Sequence, residues 1–206
     1  MMKKNVCLFI CENMADWEPA LAVAMISDRY TAIPKKNSYR VVTFGLTKEP
    51  VKTFGGLTIH PDADVGEIDP VDTAMVILPG SSIYEKDDPV GLVPLVESCI
   101  RDKIPVAAIC GGTLFLAKHG FLDTVRHTGA GPHYLSSHAP DYRGGNFYVH
   151  EPSVIDGGII TANPFGFVEF ACTIIKTLDV FSPEVLGFWL KAVKNGYLNT
   201  DSYGAG

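Results

Sequence analysis

Short apolar runs of strand length alternate with amphipathic segments along the chain up to Gly120. The predicted strands are apolar throughout or rich in β-branched and aromatic residues: 5–12, 39–44, Thr73–Leu78 and Val106–Ile109. Predicted helices begin near Asp16 and cover 89–103 and 113–119, and 54–59 is predicted to be a turn with a short extended piece. Buried strands that are each followed by a helix indicate a parallel sheet covered on both faces.

The pattern changes after Gly120. The predicted elements are, in chain order, a short extended segment over 124–128, a polar irregular stretch over 131–140, a hairpin over 146–161, and helices over 167–178 and Pro183–Asn195. The hairpin is predicted to turn at Asp156-Gly157-Gly158, and the tail over 199–206 to be frayed. Together the elements predict one α/β domain of residues 1–206 with a mostly parallel central sheet.

Charge and hydropathy exclude several classes of partner. The 206 residues hold 17 Lys and Arg against 23 Asp and Glu, for a formal charge of -6, and the basic residues form no cluster that would follow a phosphate backbone. We therefore expect no nucleic-acid partner. Every apolar run is much shorter than the roughly 20 residues that span a bilayer, so we expect no membrane partner either.

Five cysteines are spread thinly along the chain: Cys7, Cys11, Cys99, Cys110 and Cys172. An odd number in a chain of this size favours free thiols in a reducing compartment, so we expect a cytoplasmic protein. No CxxC pair is present, and His133 and His138 have a poor helical spacing for two ligands of one metal, so we expect no metal. No glycine-rich phosphate-binding motif occurs, so we expect no cofactor.

Cys110 follows the strand Val106–Ile109 directly and precedes two glycines. A nucleophile between a strand and a helix lies on a tight turn that needs small neighbours, which Ala108 and Gly112 provide. The N–H groups and the positive end of the following helix favour a thiolate, so we predict a low thiol pKa. The structural alternative is a buried cysteine at a strand end, followed by a glycine turn.

Glu18 lies in the segment Asp16-Trp17-Glu18-Pro19, which follows the first predicted strand. Because the carboxyl ends of parallel strands meet at one edge of a sheet, we predict that Glu18 lies in the same layer of loops as Cys110. Burial and the charge of a thiolate would raise the carboxyl pKa, and the protonated acid would then donate a hydrogen bond to sulfur. The alternative is that Glu18 only complements the positive end of a helix.

Backbone and histidine groups complete the predicted site. His127 is the strongest of the histidines for proton exchange with the thiol, because it ends a short predicted strand soon after the helix that follows Cys110. A structural or merely exposed histidine is the alternative. Gly80 and Ser81 end the neighbouring strand, and their N–H groups are predicted to form an oxyanion hole with that of Gly111. An ordinary strand-ending turn is the alternative there.

In combination these motifs resemble the DJ-1/PfpI superfamily, which is related to class I glutamine amidotransferases. The segments that carry the resemblance are Val76-Ile77-Leu78-Pro79-Gly80, Ala107-Ala108-Ile109-Cys110-Gly111-Gly112, Gly120-Phe121-Leu122-Asp123 and Phe167-Val168-Glu169-Phe170-Ala171. The resemblance implies a flavodoxin-like three-layer sandwich with a nucleophile elbow, and a homodimer. It also implies that Cys110 is the elbow cysteine, that Glu18 is its carboxyl partner and that His127 is the family's histidine.

The chain departs from the family pattern at three positions. Gly111 stands where protease-like and amidase-like members usually carry a histidine, which weakens a protease interpretation. Ser81 replaces the second glycine after Leu-Pro, although its backbone donor remains. Glu169 has no neighbouring histidine, unlike the His and Glu pair of glutamine amidotransferases, so glutaminase activity is not expected.

The residues and the resemblance together give three hypotheses of function. The preferred one is an enzyme in which the Cys110 thiolate attacks a small carbonyl or amide substrate, in a glyoxalase-like or amidase-like reaction, with Glu18 as proton partner. The alternative is a non-catalytic redox or stress sensor that is oxidised at Cys110. The third is a glutamine amidotransferase-like subunit that supplies ammonia to a partner.

Overall fold

The computed structural model of the chain describes residues 3–27, 29 and 33–196. Its strands are β1 (Asn5–Phe9), β2 (Arg40–Gly45), β3 (Val51–Lys52), β4 (Thr58–Ile59), β5 (Ala63–Asp64), β6 (Thr73–Leu78), β7 (Val106–Ile109), β8 (Ser153–Asp156) and β9 (Ile159–Ala162). Its helices are α1 (Trp17–Ile26), α2 (Ile83–Lys86), α3 (Val93–Arg101), α4 (Gly111–Lys118), α5 (Pro132–His138), α6 (Phe167–Thr177) and α7 (Pro183–Asn195). The tail over 199–206 lies outside the described residues.

Seven of these strands form one sheet in the order β5-β2-β1-β6-β7-β9-β8. Every neighbouring pair is parallel except β8 and β9. Strands β6 and β7 are apolar and almost wholly buried, as central strands covered on both faces must be. Strand β1 ends at Phe9 rather than at Glu12, because the chain leaves the sheet there and turns through a left-handed conformation at Asn13. The predicted mostly parallel α/β sheet is confirmed.

Helices cover both faces of the sheet. Helix α1 packs against α6, which also contacts β8, β9 and α7, whereas α4 contacts β7, α2 and α5, and α3 contacts β6 and β7. Side chains such as Phe9, Ile77, Phe115 and Ile174 join the layers in one core, and each contributes about 1.5–3 kcal/mol when fully buried. The result is the three-layer, flavodoxin-like arrangement that the family resemblance implied. None of the helices in the described ranges has the length and hydropathy of a bilayer span.

The polar stretch 131–140 is not irregular, contrary to its prediction. Most of it forms α5, and Pro132 occupies the first turn of that helix. Proline is tolerated there because the first N–H groups of a helix have no partner within it. Leu135 is fully buried and attaches the helix to the core. Tertiary packing therefore stabilises a helix in a segment whose local pattern is weak.

The segment 124–128 forms no strand within the described chain, so its prediction is wrong. Only His127 makes a bridge, to Tyr148, and that bridge is isolated. The predicted hairpin is present in its second half as β8 and β9. Its turn is confirmed, because Gly157 and Gly158 both adopt positive φ angles of 56° and 81° between the two strands.

The carboxyl ends of β1, β6 and β7 lie side by side at one edge of the sheet. Beyond them, the chain leads to Glu18 in the first turn of α1, to Gly80, and to Cys110. Open parallel sheets bind their ligands at this edge, where strand ends and helix starts surround a crevice. The fold thus brings three segments that are distant in sequence to one place.

Candidate active site

Cys110 lies at the turn between β7 and α4 in a backbone conformation that few residues other than glycine adopt. Its φ is 54° and its ψ is -122°, and such a conformation costs about 1–3 kcal/mol. The surroundings leave little room, because a Cβ at Gly111 would lie 2.6 Å from the carbonyl oxygen of Ser81. The predicted strand–turn–helix elbow is present, and it presents the thiol at the edge of the sheet.

Glu18 reaches Cys110 from the first turn of α1. The residue is 1% exposed, and its carboxyl group is close enough to the Cys110 thiol for each group to affect the pKa of the other. The backbone N–H of Gly80 donates a hydrogen bond to Glu18 Oε2 at 2.6 Å. A Cβ at Gly80 would lie 2.5 Å from that oxygen and 2.8 Å from Cys110 Cβ. Only glycine at this position leaves space for the carboxyl group and the thiol to meet.

The two acidic groups of this pair shift each other's pKa. Burial raises the pKa of Glu18 to about 7, although hydrogen bonds from Gly80 and Cys110 lower it. Burial, followed by the charge of Glu18, raises the pKa of the Cys110 thiol to about 12, although the N–H of Gly111 lowers it. The prediction of a low thiol pKa is therefore wrong for the state in which Glu18 is ionised, because desolvation and a neighbouring anion outweigh the helix end. Between those two values the pair holds a single proton.

The backbone donors at the site differ from the predicted set. The N–H of Gly80 is occupied by Glu18, so the prediction that it serves an oxyanion hole is wrong. The N–H of Gly111 is directed at the Cys110 sulfur. The N–H of Ser81 has no acceptor within the described residues and lies beside Gly111, because a Cβ on that glycine would be 3.0 Å from the Ser81 nitrogen. Ser81 and Gly111 are thus the two donors next to the thiol.

His127 is placed away from the thiol. Its ring is fully buried, with Nδ1 within 2.8 Å of the carbonyl oxygen of Val125 and Nε2 within 2.6 Å of the Tyr142 hydroxyl. The carbonyl accepts from Nδ1–H, and in the neutral ring the Tyr142 hydroxyl therefore donates to Nε2. Burial lowers the pKa of His127, which favours that neutral form. Both nitrogens are occupied, and the structure does not bring this residue to Cys110.

A cleft of about 470 Å3 opens above the pair, within the usual range of ligand pockets. Cys110 and Glu18 lie on its lining together with side chains that the sequence pattern alone does not single out: Trp17, Phe54, Glu85 and Tyr134. Trp17 could have been predicted on the lining, because it is adjacent to Glu18 in the sequence. The other three come from elements whose position depends on tertiary packing.

Another groove, of about 1020 Å3, is larger but has no comparable chemistry. Its lining comes mainly from α1 and β2 and includes Ala20, Val23 and Arg40. None of the predicted site residues lies on it. Because reaction chemistry needs a nucleophile and a proton carrier in contact, the smaller cleft at Cys110 is the candidate active site.

Comparison with known proteins assigns the chain to a family. The DJ-1/PfpI family matches residues 4–177. The chain belongs to the DJ-1/PfpI family. Within it, the chain is 34% identical over 194 residues to the protein named "Uncharacterized protease YoaZ" of Bacillus subtilis strain 168, covering 94% of this chain and 92% of that relative.

Two further DJ-1/PfpI relatives bear on fold and function. The chain is 29% identical over 161 residues to the protein named "Glutathione-independent glyoxalase DJR-1.2" of Caenorhabditis elegans, covering 76% of this chain and 81% of that one. It superimposes on the crystal structure of a thiJ/pfpI family protein from Bacillus anthracis with a TM-score of 0.82 and 31% identity, over 98% of this chain and 95% of the other. The resemblance inferred from the sequence is confirmed.

Proposed function

We propose that this DJ-1/PfpI protein is a cysteine-dependent enzyme that converts small 2-oxoaldehydes into 2-hydroxy acids. The observation that carries the proposal is a buried carboxyl group beside the Cys110 thiol on an open cleft, with its pKa raised by burial to about 7. A carboxyl group with such a pKa gives and takes protons near neutrality. The name of the Caenorhabditis elegans relative, a glutathione-independent glyoxalase, supports the same reaction class.

In the first step the Cys110 sulfur adds to the aldehyde carbon of the substrate. A C–S bond forms, the C=O π bond opens onto oxygen, and the thiol proton passes to the Glu18 carboxylate. The N–H groups of Ser81 and Gly111 stabilise the negative charge on that oxygen. Because the thiol needs no charge before the attack, a raised thiol pKa does not prevent this step.

In the second step Glu18 moves hydrogen between the two substrate carbons. It returns its proton to the new oxygen and then accepts the proton from the carbon bonded to sulfur, and the electron pair shifts onto the neighbouring carbonyl to give an enediolate. Glu18 then gives that proton to the second carbon, and the hydroxyl proton on the first carbon's oxygen passes to the oxygen of the second carbon, which leaves a hydroxyl group there and a thioester to Cys110. Water hydrolyses the thioester and restores the thiol. The net reaction adds one water to the 2-oxoaldehyde, and no external oxidant or reductant is needed.

Amide or peptide hydrolysis is less well supported by this cleft, despite the name of the Bacillus subtilis relative. Cysteine hydrolases deliver a proton to the leaving amine, and a histidine paired with the nucleophile normally does so. Within the described residues no histidine lines the cleft, and both nitrogens of His127 are occupied elsewhere. The same reasoning disfavours a glutaminase subunit.

The decisive experiment is turnover of methylglyoxal to lactate by the purified protein. We expect Cys110→Ser to abolish turnover and Glu18→Gln to reduce it about 10²- to 10⁴-fold, the usual contribution of a general base. Cys172→Ser is the matched control, because that thiol lies on α6 away from the cleft, and it should leave the rate unchanged. Failure of a panel of carbonyls and amides, together with selective peroxide oxidation at Cys110, would establish the sensor hypothesis instead.

The remaining expectations from the sequence stay predictions. They are a homodimer, a single domain, a cytoplasmic location and no nucleic-acid or membrane partner. The five cysteines are all unpaired in the structure, which supports a reducing compartment. Light scattering of the purified protein tests the dimer directly.

A further inference from the structure

Two exposed aromatic rings form one wall of the cleft. Trp17 is 46% exposed and Phe54 is 70% exposed, yet their rings meet edge to face with centroids 5.8 Å apart and planes at 83°. Both line the cleft that also contains Cys110 and Glu18. The wall therefore stands beside the reacting atoms and is open to solvent.

Backbone hydrogen bonds fix Phe54 in this position. The residue lies in the turn between β3 and β4, and its N–H donates to the carbonyl oxygen of Met14 at 2.9 Å. The next N–H, that of Gly55, donates to Asp16 Oδ2 at 2.7 Å. Met14 and Asp16 belong to the loop that leads into α1, and Trp17 is the first residue of that helix. The two rings are thus held on one support, so that the wall exists before any ligand arrives.

Other residues on the cleft lining are polar. The Tyr134 hydroxyl donates to Glu85 Oε1 at 2.8 Å, and Lys86, which follows Glu85, is also on the lining. A substrate whose carbonyl carbon is held at Cys110 places its second substituent in this cleft. An aromatic substituent gains edge-to-face and stacking contacts with Trp17 and Phe54 that a methyl group does not provide.

We propose that Trp17 and Phe54 determine substrate specificity by binding an aryl group, so that arylglyoxals are better substrates than methylglyoxal. The kinetic part of this inference rests on the proposed function, whereas the binding part depends only on the geometry of the wall. The wall contributes no proton and no bond. Its effect is on which 2-oxoaldehyde reaches the thiol in a productive position.

The kinetic test compares kcat/KM for phenylglyoxal and methylglyoxal. We expect the wild-type protein to prefer phenylglyoxal, and Phe54→Ala and Trp17→Ala each to lower the ratio about fivefold, the size of one aromatic contact. Phe147→Ala is the matched control, because Phe147 is an exposed phenylalanine that does not line the cleft, and it should leave the ratio unchanged. An unaltered ratio in both wall variants overturns the proposal.

The binding test uses Trp17 as its own reporter and does not depend on turnover. The chain has two tryptophans, so Trp189→Phe leaves only Trp17, while Trp17→Phe leaves only Trp189 on α7 as the baseline for collisional quenching. We expect acetophenone to quench Trp17 saturably and acetone not to do so, with about fivefold weaker binding in Phe54→Ala.

The two tests separate the two ways of failing. Saturable acetophenone binding without turnover of either 2-oxoaldehyde would remove the proposed function and leave the aryl-binding wall in place. Turnover of methylglyoxal, with no aryl preference and only collisional quenching of Trp17, would remove the wall and leave the proposed function. A change of oligomeric state in Phe54→Ala, with the substrate ratio intact, would assign the wall to contact between copies of the chain and overturn the proposal.

Discussion

The backbone N–H of Gly80 and the carboxyl group of Glu18 are joined by a 2.6 Å hydrogen bond that holds the acid against the Cys110 thiol. The contact is possible because position 80 carries no side chain. A Cβ there would overlap Oε2 of Glu18 and approach Cys110 Cβ to 2.8 Å. The contact between Glu18 and Cys110 in the candidate active site therefore depends on a residue without a side chain.

Gly80→Ala is expected to separate the carboxyl group from the thiol. The crowding should destabilise the fold by about 1–3 kcal/mol, as overpacking of a core does, and should remove most methylglyoxal turnover. Urea unfolding and initial rates measure the two effects. The matched control is Gly187→Ala on α7, where a Cβ meets nothing within 4 Å. It should raise stability by about 0.5–1 kcal/mol, because alanine is the better helix former. Equal stability changes of the same sign in both variants would contradict the steric argument.

The rate should depend on the ionisation of Glu18. Its pKa is raised to about 7, and the mechanism needs the carboxylate as the base that accepts the thiol proton. We therefore expect kcat/KM to rise with pH through about 7 and to reach a plateau above it. Glu18→Gln should lack this rise as well as most of the activity. A rate profile that is flat between pH 5 and 9 would show that another group carries the proton.

The same carboxyl group should make stability depend on pH. The folded-state pKa of Glu18 is raised from 4.5 to about 7, so the folded state binds the proton more tightly than the unfolded state does. The contribution is fully present below about pH 4.5 and is lost as the pH rises through about 7. At pH 8 the loss is about 3 kcal/mol, from 1.36 kcal/mol for each pKa unit.

Glu18→Gln tests this by removing the ionisation and keeping the shape. Its free energy of unfolding relative to wild type should increase between pH 5 and pH 8, measured by urea titration at each pH. Glu151→Gln alters an exposed carboxylate and should show no such trend. A pH-independent difference between Glu18→Gln and wild type would mean that the carboxyl pKa is not shifted by burial.

The hydroxyl group of Tyr84 is expected to destabilise the folded state relative to a side chain without it. The residue is fully buried, and its oxygen has no hydrogen-bond partner within the described chain. A buried polar group left without a partner costs about 1–3 kcal/mol. Tyr84→Phe should therefore stabilise the fold by about 1 kcal/mol. Tyr39→Phe should instead destabilise it by a similar amount, because the Tyr39 hydroxyl donates to the carbonyl oxygen of Leu178 at 2.8 Å. Urea unfolding should therefore give a higher midpoint for Tyr84→Phe than for wild type, and a lower one for Tyr39→Phe.

Sequence reasoning located Cys110 and Glu18 because both depend on topology alone. Each follows a strand of a parallel sheet, and the ends of such strands must meet at one edge. The positions of His127 and Phe54 could not be obtained in that way. His127 makes its contacts through a loop that returns to Tyr142, and Phe54 reaches the cleft only because a hairpin binds to the loop before α1.

Whether the pKa of the Cys110 thiol is raised or lowered could not be predicted from the sequence, for a different reason. A helix end lowers it, whereas burial and a neighbouring carboxylate raise it, and the outcome depends on distances that no motif contains. In the same way, Gly80 was correctly placed at the strand end but assigned the wrong acceptor. Its N–H donates to a side chain from α1, which is distant in sequence.

The backbone conformation at position 110 determines which residue is most stable there. A φ of 54° is strained for any residue with a Cβ. Cys110→Gly should therefore relieve the strain and raise the free energy of unfolding by about 1 kcal/mol. A descendant that no longer needed the thiol would gain by exchanging it for glycine. A cysteine at this turn is therefore better explained by a use for its thiol than by its effect on stability.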